Sequence, residues 1–133
     1  MNEKTLLRTL LGCILALSLS SPVLAAKKMA LDGKTFQVVS VDPQKKSGPD
    51  VLIFAKGTFH STGCDQYGFK KAAYKLKKVK GGWSFTAVSK SAKEGVNRWA
   101  GMVKSDMTIS GTLDWSKKGQ KPIHYTFTGS LKK

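Results

Sequence analysis

The stretch Met107-Thr108-Ile109-Ser110-Gly111-Thr112-Leu113-Asp114-Trp115 decides the fold class. Its odd positions are apolar or glycine and its even positions polar, a period of two that sends alternate side chains to opposite faces of a strand. The pattern returns in Ile123, Tyr125, Phe127, Gly129 and Leu131, set against His124, Thr126, Thr128 and Ser130, and again where Trp83, Phe85 and Ala87 oppose Ser84 and Thr86. Such β-branched and aromatic residues suit a pleated, half-buried surface. Working outward, Lys34 to Val41, Val51 to His60, Phe69 to Lys78 and Val96 to Ser105 read as further strands. Asp42-Pro43, Ser47-Gly48-Pro49-Asp50, Gly81-Gly82, Lys90 to Gly95 and Lys117 to Pro122 supply turn and loop material between them. The expectation is an all-β domain: a single small antiparallel meander β-barrel of about seven or eight strands, with a sandwich as the alternative.

Phe69 to Lys78 is ambiguous. As a strand it turns Ala72, Tyr74 and Leu76 inward and Lys71, Lys75 and Lys77 outward, but Phe69, Ala72, Ala73 and Leu76 also share a helical face. A turn at Gly81-Gly82 sets Lys78 and Lys80 opposite Phe85 and Trp83, a poor match that a longer turn or a bulge near Val79 would relieve. Gly57, Gly111 and Gly129 each stand two residues before an apolar one, on the phase expected to face inward, where glycine permits sharp bending or the approach of a ligand.

Residues 1–25 read as a signal peptide rather than as fold. Lys4 and Arg8 precede an uncharged apolar run from Thr9 to Leu19; Ser20-Ser21-Pro22 breaks it, and Val23-Leu24-Ala25 forms a cleavage site. Leu10-Leu11-Gly12-Cys13 resembles a lipoprotein box, but the apolar core continues past Cys13. Export is therefore expected, to the periplasm or beyond, with cleavage after Ala25 or Ala26, leaving one domain over residues 26–133 without a transmembrane helix. Cleavage takes Lys4, Arg8 and Glu3, so the net charge of +15 becomes +14, and it takes Cys13, so Cys64 remains alone. A lone thiol in an oxidising compartment is buried, capped or paired with another chain.

A hydrophobic fraction of 41% with 23% charged residues excludes a disordered chain. No phosphate-cradling glycine loop, nucleophile elbow or nucleotide fingerprint occurs, and the carboxylates are scattered, so neither an enzyme nor a cofactor is expected. Cys64 lies four residues from His60, the spacing of an alternative thiol or metal chemistry, yet an inward Phe59 sends His60 to the solvent side. A metal site would have to recruit His60, Cys64 and His124, with Asp65 as an optional ligand; closure of the last strand on the first could set His60 and His124 on neighbouring strands, and otherwise they are two surface histidines.

Two features point to binding instead. Phe59, Trp83, Phe85, Trp99, Trp115, Tyr125 and Phe127 come from most of the expected strands and converge on one interior, which either packs solid or holds a small apolar or amphipathic ligand. Lys70, Lys71, Lys75, Lys77, Lys78 and Lys80 crowd one hairpin and suit an envelope polyanion, lipopolysaccharide or anionic lipid. Arg98 is the one arginine after the leader, a poor endowment for bidentate phosphate reading, and export removes nucleic acid from the expected partners. An envelope partner joined through Cys64 is the third reading.

The run Phe54-Ala55-Lys56-Gly57-Thr58-Phe59-His60-Ser61, with Cys64, Gly68-Phe69, Trp99-Ala100-Gly101, Ile109 to Trp115 and Tyr125 to Gly129, resembles small exported bacterial proteins of lipocalin-like, calycin-type shape. Gly33-Lys34-Thr35-Phe36 stands where true lipocalins carry G-x-W. The resemblance implies a barrel. Proteins of this look are mostly uncharacterised, so it carries over no functional residues.

Overall fold

The computed structural model describes residues 28–133, so the expected signal peptide and cleavage site lie outside the described residues. Eight strands form a closed antiparallel barrel: β1 (Lys34–Val41), β2 (Ser47–Ala55), β3 (Thr58–Ser61), β4 (Ala72–Val79), β5 (Gly82–Ser91), β6 (Gly95–Lys104), β7 (Thr108–Ser116) and β8 (Ile123–Leu131). β1 pairs with both β2 and β8, which closes the ring and leaves no free sheet edge. This closed barrel is compatible with a lipocalin-like fold. Outward positions carry Lys75, Lys77, Ser84, Thr86, Ser110, Thr112, Thr126 and Thr128, opposite to the apolar band of a lipid-facing barrel. No helix among the described residues is long and apolar enough to cross a membrane.

Three expectations need correction. Val51 to His60 is not one strand: Lys56 and Gly57 both adopt positive φ (50° and 77°), a tight turn between β2 and β3. Residues five apart face opposite ways along one strand but pair directly here, Phe54 with Phe59. Gly57 therefore serves a turn and not an inward bend. Ser47 to Asp50 belongs to β2 and pairs with Val38 to Val41. Finally, Val79 pairs with Gly82, so the β4–β5 turn is Lys80-Gly81, one residue earlier than expected. That register sets Leu76 against Phe85 and Lys78 against Trp83, where the Lys78 ammonium lies 5.3 Å from the indole centroid. β4 is a strand, and the helical alternative falls.

Phe54 is the centre of the core. Its ring meets Phe36 at 5.8 Å, Phe59 at 5.2 Å, Tyr74 at 5.0 Å and Phe85 at 5.0 Å, all edge-on. Such aromatic contacts add about 0.5–1.5 kcal/mol each beyond the area they bury. Trp99 continues the stack between Phe59 at 5.0 Å and Phe127 at 5.6 Å. Gly101 and Gly111 face each other across β6 and β7 beneath the Phe85 and Phe127 rings, giving the aromatics the space that side chains there would occupy.

One end of the barrel is closed. Leu31, fully buried, and Met29 pack against the core there. Asp32 latches them: its carboxylate accepts hydrogen bonds from the Met29 amide (3.0 Å), the Gly57 amide (2.9 Å) and the Tyr74 hydroxyl (2.8 Å). The Gly57 amide above all, then the Tyr74 hydroxyl and the Met29 amide, hold the Asp32 carboxyl below its usual range against the opposing effect of burial.

Candidate ligand-binding cavity

At the opposite end the barrel opens into a cavity of about 530 Å³, in the size range of small-molecule sites. It lies where β1 ends and β2 begins, and where β6 and β8 begin, above the aromatic plug. Leu113, Trp115, Ile123 and Tyr125 form one wall from adjacent strands β7 and β8, and Phe69 adds another apolar surface. Asp50, Asn97 and Cys64 supply polar groups, with Asp42, Lys46, Tyr67 and Glu94 also lining the cavity.

The short 3-10 segment Thr62–Tyr67 places Cys64 in this cavity. It ends at Gly68 in the left-handed conformation (φ 80°), and the Ser91 hydroxyl donates to the Tyr67 carbonyl at 2.7 Å, tying the segment to β5. Asp50 holds its other side, accepting from the Val51 amide (2.7 Å), the Gly63 amide (2.8 Å) and the Ser61 hydroxyl (2.5 Å). Asn97, 2% exposed, donates its amide to the Cys64 sulfur at 3.5 Å. Burial pushes the Cys64 thiol up and the charges of Asp50 and Asp65 reinforce it, while the hydrogen bond from Asn97 acts against it. Burial likewise raises the Tyr125 phenol, with the Asp42 carboxylate contributing. The Trp115 indole N–H donates to the Glu94 carbonyl at 2.7 Å, which fixes that ring in the wall.

The expected interior residues separate into three groups. Phe59, Phe85, Trp99 and Phe127 are buried in the plug, each no more than 2% exposed. Trp115 and Tyr125 line the cavity. Trp83 lies towards the closed end beside Leu76, Lys78 and Met29, where it lines a smaller cavity of about 320 Å³. The convergence is therefore mostly packing, and the open space lies above it. Within the plug the Trp99 indole N–H is the one buried side-chain polar atom among the described residues that has no hydrogen-bond partner.

His60 does not meet Cys64. Its Nε2 lies 2.5 Å from Asp65 Oδ1, and His124 Nδ1 lies 2.6 Å from Asp114 Oδ1 on the outer face. Nor are the two histidines on neighbouring strands, since β3 pairs with β2 and β4 while β8 pairs with β7 and β1. The shared site that adjacency was to create does not form, and no group of three or more His, Cys, Asp or Glu side chains among the described residues is placed to hold a metal.

Of the lysine hairpin, Lys75 and Lys77 project outward from β4, Lys70 and Lys71 precede it, Lys80 sits in the turn, and Lys78 covers Trp83. All six are exposed, and none pairs with a carboxylate of a described residue.

Sequence reasoning missed Asp50 and Asn97. Asp50 stands in a Ser-Gly-Pro-Asp run that reads as a turn, and Asn97 is a polar residue on an inward phase, visible only once β6 is placed beside the Cys64 segment. No protein-family model, curated protein or solved structure matches the chain.

Proposed function

We propose that this chain is an exported, lipocalin-like binding protein that carries a small amphipathic molecule in the cup at the open end of its barrel. The cavity of about 530 Å³ carries this reading. A small domain depends on its core for stability, yet this barrel fills only its lower part with rings and leaves the upper part open, apolar on one wall and polar on the other. The raised Cys64 thiol and the engagement of His60 by Asp65 favour binding over thiol catalysis, because a nucleophilic cysteine needs a lowered pKa or an adjacent base. Native mass spectrometry of the processed chain against a panel of short amphiphiles tests the proposal. A ligand should add in one-to-one stoichiometry and change the tryptophan emission, and Trp115→Phe should abolish most of that change. No adduct with any member of the panel would refute it.

A second reading, a surface that binds envelope polyanions, is favoured by one observation: neither β4 nor β5 contains a carboxylate, while Lys75, Lys77 and Lys90 stand exposed on their outer faces. Retention on heparin resin should fall steeply with salt, and Lys75→Glu with Lys77→Glu should elute earlier. Unchanged elution rejects this hairpin as the contact.

A further inference from the structure

We infer that the cup selects short amphiphiles carrying a protonated amine, with Asp50 as the counter-charge; this rests on the binding reading above. The chain as a whole has 23 basic against 8 acidic residues, but the cavity reverses that balance, being lined by Asp42, Asp50 and Glu94 against Lys46. The three acids are not equivalent. Glu94 is paired with Lys117 at 3.4 Å, and Asp42 is engaged in its own turn by the Gln44 and Lys46 amides.

Asp50 differs from both. It is half-buried, its donors are the neutral Ser61 hydroxyl and two backbone amides, and it meets no cation among the described residues. Neutral donors leave the net charge of a carboxylate in place, and a partly desolvated charge gains more from a counter-ion than an exposed one. The Trp115 and Tyr125 rings line the same cavity, and aromatic faces attract cations and repel anions. The plug of Phe59, Phe85, Trp99 and Phe127 limits the depth, so a short apolar tail fits and a long acyl chain does not.

Octylamine, octanol and octanoate, matched in tail and different in charge, separate this from the broader reading. Calorimetry at physiological salt should rank octylamine tightest, octanol about tenfold weaker and octanoate weakest, the step being that of one charge-assisted hydrogen bond. The chain's overall positive charge favours octanoate in any non-specific association, so the opposite order is diagnostic. Asp50→Asn should bring octylamine to the level of octanol and leave octanol unchanged. If octanol or octanoate binds the parent as tightly as octylamine, the amine inference is wrong and the cup reading stands; if none of the three binds, both fail. The parent's ranking decides the matter even where Asp50→Asn does not fold.

Discussion

Replacing Gly111 by alanine should unfold much of what holds this barrel together, while the same change at Gly48 should be harmless. A Cβ on Gly111 would stand 2.2 Å from the Ala100 carbonyl oxygen, 2.6 Å from Gly101 Cα and 2.7 Å from Phe127 Cζ. Ordinary van der Waals contact begins at 3.4 Å, so the three neighbours stand about 0.7–1.2 Å too close. Two of these neighbours are backbone, and the third is a buried ring packed against Trp99, so no flexible side chain can absorb the displacement. Parting β6 from β7 by that distance stretches ladder hydrogen bonds beyond their useful range, and a closed ring passes the strain to its other seams. Overpacking of about 1–3 kcal/mol together with weakened ladder bonds gives a loss of roughly 3 kcal/mol or more. At about 4–8 °C per kcal/mol for a domain of this size, the midpoint should fall by more than about 12 °C. A Cβ on Gly48 meets nothing within 4 Å, and its backbone is not in the left-handed region. Gly48→Ala should therefore change stability by less than about 1 kcal/mol, in the favourable direction. Urea and thermal melts followed by tryptophan emission measure both. A Gly111→Ala protein within about 1 kcal/mol of the parent would show that the seam beneath the rings is not closely packed and would refute the reasoning.

Other tests address the closed end and the thiol. Because the Asp32 carboxyl is held below its usual range in the folded chain, its contribution is present above the unfolded value of about 3.9 and is lost as pH falls through the folded value. The gap in urea midpoint between the parent and Asp32→Asn should accordingly narrow on acidification, and a pH-independent gap would count against the latch. Burial raises the Cys64 thiol, so it stays protonated at neutral pH and iodoacetamide should modify it slowly, accelerating only in alkali. A bound amphiphile should slow that reaction further, whereas alkylation at the rate of a free cysteine in neutral buffer would place the sulfur outside the cup.

Much of the architecture is written in local pattern. β1 and β8 match their sequence-based limits, and β6 and β7 differ by a residue at their ends; in β7 and β8 the period-two alternation is uninterrupted. The corrections arise at turns. Lys56-Gly57 lacks the asparagine or aspartate that usually announces a two-residue hairpin, so β2 and β3 read as one strand and Phe54 fell on the wrong face. The same parity logic explains Lys78, whose pairing with Trp83 depended on moving the turn by one residue.

Alternation and charge were sufficient by themselves to specify an antiparallel all-β chain with most of its rings inward and most of its lysines outward, since each is a property of residues close together along the backbone. Ring closure brought β8 onto β1, stacked Phe59, Phe85, Trp99 and Phe127 into a plug, and left Trp115 and Tyr125 above it. It also gathered Asp50, Cys64 and Asn97 from three separate segments around one cavity. Those placements depend on register around a closed sheet, where each strand's position is set by its neighbours on both sides, and only the tertiary structure decides them.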